Sequence, residues 1–333
     1  VTTPTAAIAA KPTPTMRAMQ YAQYGGPERL TLVEAPVPEP GVGQLRVRVR
    51  ASSVNPVDWK LASGHTRPFL WVSPPSVPGF DLAGIVDAHG GQPGPFAIGD
   101  RVHARCTLRA GGGCADYAIV PVADVAHVPP GMSFADAAAL PLAGQTALQA
   151  LRDHGGLALD GASPARVLVT GAAGGVGHLG VQLARATGAH VTAVCSRRNE
   201  AFVRTLGAQA VVVRDDPDAW AGHRDFDVIL DNVGAELDSL IARLTLAGTL
   251  LCVSGNLQTV ARLPLNLVRT RQVRLVMLKA NGADLAALDR LWADGRLRVS
   301  IERRYPLASL GEAWTRSASG RVVGKLVVDV SAG

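Results

Sequence analysis

The 333-residue sequence predicts an α/β protein that joins an irregular β-rich domain to a doubly wound parallel-sheet domain. Three observations predict it. Residues 16 to about 135 break into short apolar segments separated by Gly and Pro clusters. After Phe134, uniformly apolar strands alternate with amphipathic helices, the pattern of a parallel sheet covered on both faces. The closing segments "RVSIERRYPL" and "RVVGKLVVDV" return to strand texture, so the sheet-and-helix unit reads as a late insertion in the β-rich domain.

In chain order, "VTTPTAAIAAKPTPT" is Thr/Pro/Ala-rich and lacks the basic-then-apolar order of a signal peptide. Residues 1–15 are therefore expected to be a disordered extension, with the folded part opening at Met16. "LRVRVRASSV" sets Leu45, Val47 and Val49 against Arg46, Arg48 and Arg50, the period of a half-buried strand. The density of proline over Pro36–Pro78 argues against helix. "SFADAAALPLAGQTALQALRDHG" reads as helical, with Ser133 as N-cap. "ARVLVT", "HVTAVC", "AVVV", "FDVILDNV" and "TLLCVSG" are buried strands, and "GAELDSLIARLTLAG" before the last of them reads as helix. The expected boundaries are 16–136 plus 286–333 for the β-rich domain and 137–285 for the parallel-sheet domain.

Composition excludes several classes. Hydrophobic residues make up 47% and charged residues 18%, a globular balance, and no apolar run is long enough to cross a bilayer. The formal charge of +6 is scattered, without the Lys/Arg runs and interleaved aromatics that would indicate nucleic acid. Cys106, Cys114, Cys195 and Cys252 form no CxxC pair, so no zinc cluster or disulfide framework is expected and a reducing cytoplasm is the default.

"TGAAGGVG", Thr170 to Gly177, packs four glycines and two alanines between a strand and a helix. That is the order a dinucleotide fingerprint needs, read here as Ala172-x-Gly174-x-x-Gly177 with Ala173, Gly175 and Val176 between. The helix N-terminus then offers free N–H groups and a favourable dipole to a pyrophosphate. About 20 residues further on, an acidic residue would read a free ribose 2′-hydroxyl. The chain has Ser196, Arg197 and Arg198 there instead, and an Arg suits a 2′-phosphate as a bidentate fork. NADPH is therefore expected over NADH, with Arg214 as a further positive contact. The alternative is that the two arginines simply open a solvated helix.

With these residues in place, the chain resembles the medium-chain dehydrogenase/reductase superfamily, in its zinc-independent quinone oxidoreductase branch. The resemblance runs from Met16 onward through "MRAMQYAQYGGPERL", "ASSVNPVDWKLASG", "PGFDLAGIV", "GDRVHA", "GGCADYAIVP", "AAALPLAGQTALQAL", "VLVTGAAGGVGHLGVQLAR", "DNVG" and "SASGRVVGKLVV". It implies a GroES-like catalytic domain, a Rossmann-type cofactor domain, an active site in the cleft between them, and a homodimer. The zinc-dependent relatives hold their metal with a Cys, a Gly-His-Glu motif and a further Cys. Here Asn55 falls at the first position, Phe80 and Asp81 at the His-Glu, and Leu142 near the last, so no metal is expected.

Oxidising an alcohol needs a Lewis acid or a base so that its proton is lost as hydride leaves, whereas reduction of an activated C=C needs only hydrogen-bond donors at the conjugated oxygen. The expected reaction is hydride transfer from NADPH to a quinone or to the β-carbon of an enone. Asn55, Asp58, Trp59 and Lys60 are the candidate catalytic residues. The resemblance places Asn55 against nicotinamide, ribose or substrate, although Asn-Pro also simply starts a turn. Some relatives carry Tyr at the position of Trp59, so that hydroxyl is missing here. Thr146 borders the nicotinamide in relatives, and Asn232, Val233 and Gly255 lie at the carboxyl ends of strands where a cofactor rests. His178, in the fingerprint helix, reads as structural, and Cys195 as a buried small apolar residue. Two alternatives stand beside this reading: a stand-alone enoyl reductase acting on a carrier- or CoA-bound chain, and a non-catalytic NADPH-binding protein.

Overall fold

The computed structural model describes residues 14–67, 70–107, 112–159, 161–234, 236–254, 257–267 and 270–331. Residues 1–13 of the expected extension lie outside the described residues, and Thr15, its last residue, is already the first residue of a strand. Strands β1 (Thr15–Tyr21) and β2 (Leu30–Pro36) form an antiparallel pair. Strand β3 (Gln44–Val54) follows with the alternation its sequence predicts: Leu45, Val47 and Val49 are buried, and Arg48 is exposed. The short helix α1 (Pro56–Ala62) comes next, then β4 (Asp81–His89), β5 (Arg101–Arg105), β6 (Tyr117–Pro121) and β7 (Val125–His127).

Helix α2 (Phe134–Ala139) is capped by the Ser133 hydroxyl, which accepts from the Asp136 N–H. The helical stretch expected to be continuous breaks here and restarts as α3 (Pro141–Gln149). Pro141 has no N–H to continue the ladder and is well placed only in a first turn. Strand β8 (Arg166–Val169) leads into α4 (Gly175–Ala186), followed by β9 (His190–Cys195), α5 (Glu200–Thr205), β10 (Ala210–Val213) and β11 (Phe226–Asp231). Helix α6 (Leu237–Ala242) is shorter than its sequence suggests, because "LTLAG" opens strand β12 (Leu244–Cys252). Gly248 explains the difference: a Cβ there would lie 2.7 Å from the Phe226 carbonyl, so the glycine lets β12 close on β11. Helix α7 (Leu257–Arg262), β13 (Gln272–Leu275) and α8 (Gly282–Ala293) follow, then β14 (Ile301–Pro306), α9 (Leu310–Ala318) and β15 (Lys325–Asp329). Strand patterning alone does not reveal α9.

Two large sheets organise the chain. One runs β14-β15-β3-β4-β5-β7, with β6 also paired to β3, so the C-terminal strands complete a sheet begun by the N-terminal third. The other runs β10-β9-β8-β11-β12-β13, every pair parallel. Its central strands are buried on both faces, as their unbroken apolar sequences require. Chain order reverses between β8 and β11, which opens a crevice at their carboxyl ends.

Candidate active site

The glycine loop sits at that crevice, leaving β8 and entering α4 at Gly175. Its glycines are there for approach. A Cβ on Gly177 would overlap the Gly171 carbonyl, and one on Gly174 would lie 3.3 Å from the same oxygen. Gly171 itself turns through φ +56°, a backbone state that favours glycine. Two residues that sequence reasoning passed over hold the crevice. The Thr170 hydroxyl donates to Asp231 Oδ1 at 2.6 Å, joining the ends of β8 and β11. Asp231 also accepts from the N–H groups of Val233 and Gly234. Asn232 donates through Nδ2 to the Thr170 carbonyl at 2.8 Å, and its Oδ1 is buried with no partner. A glycine cradle beside an orphaned buried acceptor fits a dinucleotide. Val233 is exposed at the rim, and Gly255 lies outside the described residues.

Across the next strands, Ser196, Arg197, Arg198 and Arg214 gather at the ends of β9 and β10. Arg197 donates to Asp216 at 3.0 Å, Arg214 to Asp215 at 2.9 Å, and Arg198 to the Arg321 carbonyl at 3.2 Å. The two aspartates were not foreseen. All three arginines are exposed, so these pairings are weak and readily exchanged for a stronger anion.

The fingerprint helix is locked from its far side. Gly174 O faces His178 Nδ1 at 2.9 Å, and His178 Nε2 accepts from the Ser300 N–H at 3.3 Å, which makes the ring a neutral Nδ1–H tautomer. Complete burial holds its pKa down at about 4. His178 is structural, as its position suggests.

Asn55, Asp81 and Leu142, which fall at the metal-ligand positions of the zinc relatives, converge in space. Asn55 Nδ2 donates to Asp81 Oδ2 at 2.7 Å, and the Leu142 N–H donates to Asp81 Oδ1 at 2.8 Å. Ser53 Oγ donates to Asp81 Oδ2 at 2.6 Å. The cation here is Lys325, 3% exposed, whose Nζ donates to Asn55 Oδ1 at 2.6 Å and to the Val54 carbonyl at 3.3 Å, and lies 3.6 Å from Asp81 Oδ2. Burial lowers the Lys325 pKa, while Asp81 and Asp58 oppose the shift. These residues do not fit a zinc ion: one carboxylate and one carboxamide, both already engaged by an ammonium, make no tetrahedral donor set. Among the described residues no group of three His, Cys, Asp or Glu is placed to hold a metal.

Asp58 accepts the Asn55 N–H through Oδ2 at 2.6 Å, and its Oδ1 is buried without a partner. Desolvation is the main cause that pushes its pKa up to about 7, with Asp81 adding to the shift and Lys325 opposing it. The remaining candidates are otherwise occupied. The Trp59 indole N–H donates to Ser317 Oγ at 3.1 Å, turning the ring toward α9. Lys60 is exposed, its ammonium 5.6 Å from the Trp59 ring centre. The Thr146 hydroxyl donates back to the Leu142 carbonyl at 2.6 Å, the habit of a helix-interior threonine. Lys325 was missed altogether, since it lies 270 residues from Asn55 in a segment that reads as an ordinary strand. Cys195 is buried, with its pKa raised to about 11 by desolvation, and all four cysteines are free.

Fold and site together define a two-domain nicotinamide-dependent oxidoreductase. Residues 41–130 match the alcohol dehydrogenase GroES-like domain, and residues 206–328 match the zinc-binding dehydrogenase family. The chain is 35% identical to the chloroplast envelope quinone oxidoreductase homolog of Arabidopsis thaliana, over 94% of this chain and 98% of that one. It is 30% identical to the mitochondrial NAD(P)H oxidoreductase RTN4IP1 of Mus musculus, over 86% and 82%. The solved quinone oxidoreductase of Coxiella burnetii superposes with a TM-score of 0.85 at 30% identity, covering 95% of this chain and all of that one. The chain belongs to the medium-chain dehydrogenase/reductase superfamily, in its quinone oxidoreductase branch.

One expectation is corrected by these relatives. They are named for the chloroplast envelope and the mitochondrion, against the expected cytoplasmic location. Free cysteines suit any reducing compartment and do not single out the cytoplasm. No helix among the described residues is long and apolar enough to cross a membrane.

Proposed function

We propose that the chain is an NADPH-dependent reductase of quinones and of activated, carbonyl-conjugated C=C bonds. The observation that carries this reading is the Lys325–Asn55–Asp81 cluster beside the glycine loop. Bound nicotinamide would supply the hydride, and the chain's own residues have three tasks. The loop Ala172–Gly177 and the free N–H groups of the first turn of α4 receive the pyrophosphate. Ser196, Arg197, Arg198 and Arg214 receive the adenosine end, and exchange of Asp215 and Asp216 for a phosphate accounts for a preference for NADPH. Asn55, with one amide hydrogen committed to Asp81, presents the second to the oxygen on which charge accumulates. The unpartnered Asn232 Oδ1 and, as the resemblance implies, Thr146 are assigned to the cofactor, and Asp58 accepts the Asn55 N–H. Trp59 and Lys60 are assigned to holding α1 against α9 rather than to the chemistry.

The homodimer is supported by the exposed apolar side chains of Leu246, on β12, and Met277, just past β13. Sedimentation equilibrium tests it. The reaction is tested by following NADPH oxidation with a 1,4-quinone and a simple enone in parallel, with NADH as control and a chelator present. Turnover with NADPH, little with NADH and no chelator effect is the expected result. Equal rates with NADH would remove the phosphate assignment, and binding without turnover of either acceptor would leave a carrier-bound enoyl substrate or a binding protein.

A further inference from the structure

The Lys325 side chain passes between two parts of the cleft that the sequence keeps far apart. Its stem lies along the start of α4: a Cβ built on Gly175 would be 3.3 Å from Lys325 Cδ. Its ammonium ends on Asn55 Oδ1 at 2.6 Å, and the preceding Gly324 N–H donates to the Ala173 carbonyl of the glycine loop at 2.8 Å. Backbone and side chain of one dipeptide therefore hold the cofactor loop and the active-site carboxamide in a single register. The same ammonium settles which way Asn55 faces. With Oδ1 accepting from a cation and one Nδ2 hydrogen on Asp81, the amide has a single orientation that satisfies its neighbours. A cation on the oxygen also polarises the amide, so the remaining N–H becomes a stronger donor.

We propose that Lys325 is a positioning residue for the reduction: a fixed buried cation, held by the residues that fall at the metal-ligand positions of the zinc relatives, that orients and polarises Asn55 as the donor to the substrate oxygen. This rests on the proposed reductase reading. Lys325 acts through Asn55 and need not touch substrate.

Lys325→Met keeps the stem along Gly175 and removes the ammonium. The expected result is a fall in kcat of about tenfold or more with a quinone, the scale of one lost charge-assisted hydrogen bond, while the NADPH Kd read by nicotinamide fluorescence moves less than about threefold. In an Asn55→Ala background the same substitution is expected to cost less than about twofold, because the route through the amide is gone. An unchanged kcat, full additivity with Asn55→Ala, or a loss confined to NADPH affinity would each overturn the proposal, the last by assigning the ammonium to the pyrophosphate. Should Lys325→Met not fold, Asp81→Asn with Lys325→Met removes both charges together. Wild-type kcat in that double variant would reduce Lys325 to a counter-ion and overturn the proposal. A wild-type chain that binds NADPH but reduces no acceptor would instead remove the reductase reading. The side-chain amide resonances of Asn55, assigned by their loss in Asn55→Ala, then decide for Lys325: they shift when the ammonium is removed from the double-charge cluster, and no shift overturns the proposal.

Discussion

The two ends of the crevice, which we propose receive adenosine at one and nicotinamide at the other, handle charge in opposite ways. At the adenosine end, Arg197, Arg198 and Arg214 stand in solvent, each held by a neighbour it can release. At the nicotinamide end, Asp58, Asp81 and Lys325 are each at most 3% exposed and bound into one network. Water screens the first set and makes each charge cheap, so that end can be tuned by single substitutions. Nothing screens the second set. There each charge is tolerable only while its partners are present, and the geometry is correspondingly fixed.

The hardest test of that contrast removes one buried partner. Asp81→Ala strands the Lys325 ammonium together with the Ser53 hydroxyl, the Asn55 amide and the Leu142 N–H. Loss of one member of a buried ion pair costs about 3–5 kcal/mol, and urea unfolding should show it. A loss under about 1 kcal/mol would mean that water reaches the cluster, and the two ends would no longer differ in kind.

At the open end the effect is expected on binding. Arg197→Gln with Arg198→Gln should weaken NADPH by about 10- to 100-fold, the worth of charge-assisted hydrogen bonds to phosphate, and leave NADH within about twofold. Titration of both cofactors against nicotinamide fluorescence checks this. Equal losses for both would mean that the arginines serve the fold, or the shared part of the cofactor, instead of the 2′-phosphate.

These two ends also differ in how far they are legible from sequence. Ser196, Arg197 and Arg198 follow a strand that follows a glycine loop, so their place is a matter of counting along one βαβ unit. The same holds for Ala172 to Gly177, whose small side chains announce a close approach. The buried end is assembled from β3, α1, β4, the start of α3 and β15, which meet only after both sheets have formed. Asn55 and Asp81 were reachable because the resemblance puts them at positions where other members keep metal ligands. Lys325 had no local sign beyond one lysine opening an apolar strand, and Trp59 and Thr146 were read without their actual partners, Ser317 and the Leu142 carbonyl. The α2–α3 break shows the same division, since Pro141 is visible in sequence but the packing that makes it a boundary is not.

Proton linkage offers a smaller and more specific test. Asp58 is pushed up to about 7 chiefly by desolvation, from an ordinary value near 3.8. Between those values the folded chain holds a proton that the unfolded chain has released, so stability should fall as pH rises from about 4 to 7, by at most about 1.4 kcal/mol per pH unit. Lys325, lowered by burial, acts with the opposite sign in the alkaline range. Asp58→Asn should flatten the acid-side slope in urea unfolding measured across that range. A slope unchanged by Asp58→Asn would show that Asp58, which faces Asp81, Lys325, Arg105, Cys106 and Cys114, does not hold the proton.

The smallest effect completes the comparison, and it must be small for the contrast to hold. The Arg197–Asp216 pair has side chains 70% and 37% exposed. An exposed pair of this kind contributes little, because its attraction competes with water and with the entropy of two mobile side chains. Arg197→Gln should therefore change unfolding stability by less than about 0.5 kcal/mol, and added salt should erase even that. Its cost should appear only when a phosphate is offered. A stability loss above about 1 kcal/mol would show that the arginine supports the end of β9 as well, and that tuning the adenosine end is not free of structural consequence.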